Sequence, residues 1–268
     1  GQHNMVPTPN DRYFVVVNTG SNELVFLDPA TGDVARRIGR IADPYHLGFS
    51  PDQQWLVINA NRLDRVDLYR YRDGGVTLAK SLSLPRTPSH MAFSADARTV
   101  YVSLQESNQV AAIDLPSQTV RWIVGTGQQP AGVWVTPDGL KVLVAITGED
   151  YVDILAPQDG HSLARLVTGK GAHSFLPRGD GRHVFLSNRV ANTISVIDQQ
   201  ALTVVESFAI PGGPDDMELT RDGRELWLTS RWANRVTVVD LATRKIKNSI
   251  RVGRSPHGLY FHTHAPRR

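Results

Sequence analysis

The amino-acid sequence predicts an all-β protein, a β-propeller built from four-stranded antiparallel blades. The first observation is a short stretch, clearest at residues 255–261, that recurs at spacings of 42 or 44 residues. The recurrences begin at His3, Tyr45, Ser89, Ala131, His173, Asp215 and His257. Each one opens an apolar, strand-like segment, and a repeat of about 40 to 45 residues with strand content is typical of propeller blades.

The second observation is that each repeat contains four strand-like segments, which we label A to D. In the sixth repeat these are residues 217–220, 225–229, 236–240 and 246–252. Apolar and polar side chains alternate along them, β-branched residues are frequent, and Asp or Asn stands in the turns between them. This pattern predicts antiparallel strands joined by hairpins.

The third observation is the regular recurrence of Asp and Asn in the hairpin turns. The A-to-B turn has Asn10, Asp52, Asp96, Asp138, Asp180 and Asp222, and the B-to-C turn has Asn22, Asp64, Asn108, Asp150, Asn192 and Asn234. Both residue types tolerate the left-handed backbone of tight turns and bond to the backbone two residues further on. We therefore interpret them as structural residues and not as catalytic carboxylates.

The repeats run through the whole chain of 268 residues, so we predict a single domain over 1–268. Its repeats are approximately 2–43, 44–87, 88–129, 130–171, 172–213 and 214–254, followed by a closing strand at 255–261. This closing strand is a seventh A strand with no B, C or D strand behind it.

The number of blades depends on that closing strand. A lone innermost strand cannot satisfy its backbone hydrogen bonds or bury its faces. We therefore predict a seven-bladed propeller in which three strands ahead of Gly1 would complete the seventh blade. The alternative is a six-bladed propeller in which residues 255–261 form an extra strand.

The composition excludes several classes of function. The 29 Lys and Arg are interleaved with 26 Asp and Glu, so the net charge of +3 forms no basic stripe that would predict nucleic-acid binding. The absence of cysteine excludes disulfides, thiolate metal sites and cysteine nucleophiles. No apolar run approaches the ~18 residues of a membrane span. The remaining composition is that of an ordinary globular protein, for which we expect a monomer.

Four segments carry the pattern of a known repeat family: residues 256–259 (PHGL), 135–139 (VTPDG), 100–103 (VYVS) and 192–198 (NTISVID). Over its whole length the chain resembles the YVTN family of β-propellers. That family and its relatives include archaeal surface-layer proteins, periplasmic binding proteins, lactonases, haem-d1-carrying domains and the heavy subunits of amine dehydrogenases. The resemblance implies a propeller fold and a periplasmic or extracellular location, and no stretch singles out one branch.

The first residues of each A strand in a propeller overhang the mouth of the central channel, and we call these positions the funnel ring. They are His3-Asn4, Tyr45-His46, Ser89-His90, Ala131-Gly132, His173-Ser174, Asp215-Asp216 and His257-Gly258. Five of the nine histidines fall in the funnel ring. One interpretation is that each imidazole bonds to the backbone of the next blade. The other is that the ring binds a divalent metal or an anionic ligand.

Two arginines on neighbouring B-to-C hairpins, Arg189 and Arg231, are one repeat apart and belong above the funnel ring. Because a guanidinium binds carboxylate or phosphate in bidentate fashion, we predict that both bind a small anion. The predicted ligand-binding residues are His3, His46, His90, Asp215, Asp216, Arg189 and Arg231. The alternative is that each arginine pairs with a neighbouring aspartate such as Asp215 and is structural.

A metal site in the funnel ring needs at least three ligands from neighbouring strands. Two sets meet this condition: His3, His46 and His257 across the ring closure, or His173, Asp215 and Asp216. One divalent metal is therefore a candidate cofactor. A haem would be non-covalent, because the chain has no Cys-x-x-Cys-His segment, and it would need a funnel-ring histidine as its ligand.

Three functions follow from these observations. The leading hypothesis is a binding module whose funnel ring engages a small anionic ligand, a metal or a partner protein. The second, which follows the lactonase relatives, is a lactone or ester hydrolase with His173 or His257 as general base and the two arginines stabilising the developing charge. The third, which follows the haem-d1 and amine dehydrogenase relatives, is a scaffold or subunit of a redox assembly.

Overall fold

The computed structural model describes residues 2–72 and 74–268, and across them the chain forms six four-stranded antiparallel sheets. The first three sheets are β1 (Gln2–Pro7), β2 (Phe14–Asn18), β3 (Glu23–Leu27) and β4 (Val34–Gly39); β5 (Pro44–Phe49), β6 (Trp55–Ala60), β7 (Arg65–Arg72) and β8 (Gly75–Ser83); and β9 (Pro88–Phe93), β10 (Thr99–Leu104), β11 (Gln109–Asp114) and β12 (Thr119–Gly125).

The other three sheets repeat the same order of strands. They are β13 (Pro130–Val135), β14 (Val142–Ile146), β15 (Tyr151–Leu155) and β16 (Ser162–Val167); β17 (Ala172–Pro177), β18 (His183–Asn188), β19 (Thr193–Asp198) and β20 (Thr203–Ala209); and β21 (Pro214–Leu219), β22 (Glu225–Ser230), β23 (Arg235–Asp240) and β24 (Lys245–Arg251). Within each sheet the strands pair in chain order. The innermost strands β1, β5, β9, β13, β17 and β21 follow one another around the axis.

The hairpin turns show why Asp and Asn recur. Left-handed φ angles of 49° to 56° occur in the B-to-C turns at Asn22, Asp64, Asn108, Asn192 and Asn234. In an A-to-B turn, Asp138 accepts hydrogen bonds from the Thr136 hydroxyl (2.6 Å) and the Leu140 amide (3.0 Å). These residues therefore shape the hairpins, as the sequence indicated.

The apolar core lies between neighbouring sheets. Between the third and fourth sheets, for example, Tyr101 and Val110 pack with Val133 and Val144, and all four are buried. Full burial of each aliphatic side chain contributes on the order of 1.5 to 3 kcal/mol. Successive side chains of a strand point to opposite faces of its sheet, so each blade presents apolar side chains to both neighbouring blades. The blades therefore pack side by side. None of the helices in the described part of the chain has the length and apolarity needed to cross a membrane.

The favoured prediction of seven blades is wrong, because the structure has six. Residues 255–261 form no strand within the described chain. They lie between the sixth and first sheets, where Tyr260 faces Phe14 (ring centroids 6.5 Å apart) and Phe261 contacts Trp227 (5.3 Å). The six-bladed alternative is therefore right in blade number, although its extra strand is absent. The physical reason lies in the hydrogen bonding, since the Gly258 amide donates to the Asp216 carboxylate (2.7 Å) and not to a neighbouring strand.

The closing segment, residues 255–268, joins the last sheet to the first through polar contacts. The Ala265 amide donates to the carbonyl of Leu219 (3.2 Å), and Arg267 pairs with the buried carboxylate of Glu218 (2.9 Å). On the other side, His264 Nε2 lies 3.1 Å from Asp11 in the first sheet. One backbone hydrogen bond and several side-chain contacts therefore close the ring in place of a strand ladder.

Candidate functional site

The structure gathers the funnel-ring histidines at one end of the inner strands. Neighbouring imidazoles have ring centroids 4.9 Å apart for His46 and His90, 5.0 Å for His90 and His173, and 5.2 Å for His3 and His257. His90 and His173 belong to the third and fifth sheets. Their contact is possible because Gly132, at the funnel-ring position of the fourth sheet, has no side chain, and we call this the bare position. The funnel ring is thus a continuous polar cluster.

His3 makes the backbone contact with the next sheet that the first interpretation predicts, whereas His173 contacts a side chain of the preceding sheet. His3 Nδ1 donates to the carbonyl of Tyr45 in the next sheet (3.0 Å). His173 Nδ1 lies 3.1 Å from the hydroxyl of Thr147 in the preceding sheet. Our reading of the sequence missed Thr147, although it is one repeat of 42 residues before Arg189 and so occupies the same hairpin position.

Asp215 is the centre of the charged part of the site. Its side chain is fully buried, and its Oδ2 accepts hydrogen bonds from Arg189 Nη2 (2.7 Å), His257 Nδ1 (3.1 Å) and Arg231 Nη1 (3.4 Å). The structure therefore contains the ion pairs of the predicted alternative, in which the arginines pair with Asp215. The other carboxylate oxygen, Oδ1, lies 3.3 Å from His173 Nε2, yet neither atom makes a hydrogen bond within the described residues.

Asp216 ties the closing segment to the site. Its carboxylate accepts hydrogen bonds from the Ser174 hydroxyl (3.0 Å) and the Gly258 amide (2.7 Å), and His257 Nδ1 lies 3.4 Å away. Three parts of the chain therefore meet at this carboxylate. Ser174 was assigned to the funnel ring from the sequence but was not predicted to contact Asp216.

Most of the funnel-ring imidazoles are held in the neutral form. Burial, followed by the charge of His257, lowers the pKa of His3 to about 4. Burial likewise lowers the pKa values of His46, His90 and His173 well below the ordinary value, with further lowering by neighbouring cationic groups. These four side chains therefore act near neutral pH as uncharged donors and acceptors.

His257 and Asp215 behave in the opposite way. Burial lowers the pKa of His257, but the nearby charge of Asp216 and the hydrogen bond to Asp215 outweigh burial, so its pKa is raised. Burial raises the pKa of Asp215, but the hydrogen bond and charge of His257 and the charge of Arg189 hold it well below the ordinary value. His257 is thus the funnel-ring imidazole that holds a proton most readily.

A cavity of about 340 Å³ opens above this cluster. It is lined by Tyr45, Ser89, His90, Gln105, His173, Arg189, Arg231, Trp232 and His257. A smaller cavity of about 250 Å³, which His3, Asn4, Ser255 and His257 help to line, lies beside the closing segment. His257 borders both cavities, so the closing segment contributes directly to the site.

The residues that could together ligate a metal differ from the two predicted sets. Among the described residues, the group whose ligand atoms come within 4.8 Å of one another is Asp215, Asp216 and His257. His257 thus joins the aspartates of the second predicted set, whereas His46 lies against His90 and outside this group. Arg189 and Arg231 already neutralise Asp215, which weakens its attraction for a cation.

The bare position at Gly132 can be tested by adding a single methyl group. A Cβ at Gly132 would lie 2.0 Å from the carbonyl oxygen of His173, a backbone atom that cannot yield without moving β17. We expect Gly132→Ala to lower the free energy of unfolding by about 1 to 3 kcal/mol, as overpacking does. Gly125→Ala is the matched control, since its Cβ meets nothing within 4 Å. Equal stability of the two variants in urea denaturation would contradict the close approach.

The structure is a propeller with a polar cluster at one end of its inner strands, and comparison with known proteins agrees with the fold. Residues 1–267 match the family model described as "YNCE-like beta-propeller", and the chain belongs to this family. The resemblance to YVTN-type propellers is thereby confirmed.

Two solved structures illustrate the likeness. One is Kuenenia stuttgartiensis hydrazine synthase, with a TM-score of 0.79 and 17% sequence identity over 96% of this chain and 88% of that chain. The other is a protein of unknown function from Desulfotomaculum acetoxidans DSM 771, with a TM-score of 0.81 and 17% identity over 99% and 89%. At this level of identity the likeness is one of fold.

Proposed function

We propose that the chain is a binding module that holds a small organic oxyanion, such as a carboxylate, in the 340 Å³ cavity of the funnel ring. The observation that carries the proposal is the pair Arg189 and Arg231 in the cavity wall. Arg189 uses Nη2 for Asp215, and its buried Nε has no acceptor within the described chain. An incoming oxyanion would supply the acceptor that this guanidinium lacks.

The charges of the site favour a monoanion. When His257 holds a proton, which its raised pKa favours, it and two guanidinium groups face the carboxylates of Asp215 and Asp216, so three positive charges meet two negative ones and one positive charge is left. The neutral imidazoles His90 and His173 add no charge. A ligand with one negative charge would complete the balance without leaving a buried charge unpaired.

The size and polarity of the cavity favour a small, hydroxylated ligand. A volume near 340 Å³ is at the lower end of the range for small-molecule sites. Tyr45, Ser89 and Gln105, whose side chains have hydroxyl or amide groups, also line the cavity. Trp232, which is 58% exposed, offers an apolar ring at the rim. This arrangement suits a short hydroxycarboxylate better than a large apolar molecule.

The geometry gives less support to the general-base roles predicted for a hydrolase. A general base must be unprotonated and must reach the substrate. The pKa of His257 is raised by its carboxylate neighbours, and His173 is only 3% exposed. Anion binding uses the same residues in the protonation states that the structure favours.

The proposal predicts that Arg231→Met weakens binding of a short hydroxycarboxylate by about tenfold or more, because a charge-assisted hydrogen bond contributes about 1.5 to 3 kcal/mol. Isothermal titration calorimetry with lactate, malate and acetate measures the effect. Arg235→Met is the matched control, since Arg235 lies on the same hairpin but bonds to Ser249 on the outer strand. The proposal fails if none of the three acids binds below about 10 mM, or if Arg231→Met binds as tightly as Arg235→Met.

A further inference from the structure

We propose a second ligand site, for a small neutral aromatic molecule, in the central channel at the end opposite the funnel ring. A cavity of about 500 Å³ lies there, between the later residues of the inner strands β1, β5 and β9 and the closing segment. Its volume is within the range of small-molecule sites, roughly 300 to 1,000 Å³. The wall residues that carry the proposal are Val6, Phe49, Met91, Phe93 and Tyr260.

The side of the channel on which the cavity lies corresponds to the sizes of six equivalent side chains. Each of them is two residues after the second funnel-ring residue of its inner strand. In chain order they are Val6, Gly48, Ala92, Trp134, Leu176 and Glu218. The first three sheets, which line the cavity, have the small side chains, and the fourth to sixth sheets have the large ones. The cavity is therefore particular to one side of the channel and is not a consequence of the repeat alone.

The wall of the cavity is apolar and closely packed. A Cβ built on Gly48 would lie 2.8 Å from Met91 Sδ and 2.8 Å from Cε2 of Phe93, so both side chains rest against the backbone of β5. Both also pack on the buried core between the second and third sheets, yet they stay half-buried, which leaves part of their surface to a ligand. Because aromatic rings pair favourably with other rings and with thioether sulfur, this wall suits an aromatic molecule.

The charged groups at the mouth of the cavity are already paired. His264 Nε2 lies 3.1 Å from Asp11, and Arg267 pairs with Glu218 (2.9 Å). At the end nearest the funnel ring, His46 is neutral because burial lowers its pKa. An ionised ligand would lose its hydration here without gaining a free partner of opposite charge among the described wall residues, so a neutral molecule fits better.

Tyr260 adds one polar group to the apolar wall. Burial raises the pKa of its hydroxyl, and the charge of Asp216 raises it further, so the hydroxyl stays protonated and can donate a hydrogen bond. A ligand with one acceptor atom beside its ring would accept this bond. The ligand class is therefore a neutral molecule of one or two aromatic rings that has a single oxygen or nitrogen acceptor.

The site is separate from the one proposed for an oxyanion. Among the described residues, the 500 Å³ cavity and the 340 Å³ cavity have no lining residue in common. Their preferences also differ, since one wall is apolar and the other has two guanidinium groups. The two proposals can therefore fail independently.

The experiment is equilibrium dialysis of the full chain against 2-naphthol. We expect 2-naphthol to bind, and we expect Met91→Gln to weaken binding by about tenfold or more, because it places an amide in the apolar wall. Met5→Gln is the matched control, since Met5 is also a half-buried methionine of an inner strand but lines the smaller cavity beside the closing segment. Arg231→Met in the funnel ring should leave 2-naphthol affinity unchanged.

Two further comparisons test the chemistry of the site without risk to the fold. Tyr260→Phe keeps the ring, so it should weaken binding of 2-naphthol by about fivefold and leave binding of naphthalene unchanged. In competition against bound 2-naphthol, 2-naphthoate should be about tenfold less effective than 2-naphthylmethanol, which has the same rings without the charge.

The proposal is overturned if 2-naphthol does not bind below about 1 mM, or if Met91→Gln and Tyr260→Phe both bind it as tightly as Met5→Gln does. Equal competition by 2-naphthoate and 2-naphthylmethanol would overturn the preference for a neutral ligand. Loss of 2-naphthol binding in Arg231→Met would place the molecule in the funnel ring and would likewise overturn the channel site.

Discussion

Replacement of Asp215 by asparagine is expected to lower the free energy of unfolding by about 3 kcal/mol. The substitution keeps the shape of the side chain but removes the negative charge that Arg189, Arg231 and His257 share. Breaking a buried ion pair by removing one partner leaves the other charges without compensation, which typically costs about 3 to 5 kcal/mol. The lower end applies because the Arg231 side chain retains 30% exposure and water can partly solvate it.

Urea denaturation followed by circular dichroism measures this loss. Asp222→Asn is the matched control in the same sheet, because Asp222 also accepts two hydrogen bonds, from Thr220 (2.7 Å) and the Arg224 amide (3.0 Å), but in an exposed turn. We expect the control to lose about 1 kcal/mol or less. If Asp215→Asn is as stable as Asp222→Asn, Asp215 is not the electrostatic centre of the site.

Local signals in the sequence were sufficient to predict the blades. Alternating apolar residues and turn residues such as Asn192 and Asn234 specify strands and hairpins within about ten residues of each other, and the structure has four antiparallel strands in every sheet. The number of blades depends on contacts that are remote in the chain. His264 contacts Asp11, which is 253 residues away in the sequence, and no local sequence pattern predicts such a pair.

The sequence predicted which residues belong to the site but not which of them bond to one another. The repeat spacing placed His173, Asp215 and His257 in one ring because equivalent positions of a propeller converge on the axis. It could not show that His257 would bond to Asp215 in preference to His3 and His46. That choice depends on the path of the closing segment, where Gly258 donates to Asp216 and fixes the imidazole in place.

Acidification from about pH 7 to about pH 5 is expected to destabilise the protein more than an ordinary loss of surface ion pairs would. The cause is the group of neutral imidazoles in the funnel ring. For His3 the folded pKa is about 4 and the unfolded value is 6.5, so between these pH values the unfolded chain binds a proton that the folded chain does not. Stability therefore falls as the pH falls through this window, by about 1 to 2 kcal/mol for His3 alone at about pH 5.

His46, His90 and His173 act in the same direction, because their pKa values are also lowered. His257 opposes them, since its raised pKa contributes stability that is present below 6.5 and lost as the pH rises through its folded pKa. Asp215, with its lowered pKa, stays charged throughout this window. Acidification therefore lowers stability through four imidazoles and raises it through one, and the net effect is a loss of stability as the pH falls.

The measurement is the free energy of unfolding in urea at several pH values between about 7 and about 5. His90→Gln removes one half-buried imidazole whose pKa is lowered, so we expect it to flatten the pH dependence. His161→Gln is the matched control, because His161 is exposed and bonds to Asp159 in a surface turn (2.6 Å). The same change in His161→Gln would contradict a specific role of the funnel ring. An unchanged slope in His90→Gln would show that His90 is protonated in the folded state as readily as in the unfolded chain. Such a result would also add positive charge to the cavity and shift its preference from a monoanion to a more highly charged ligand.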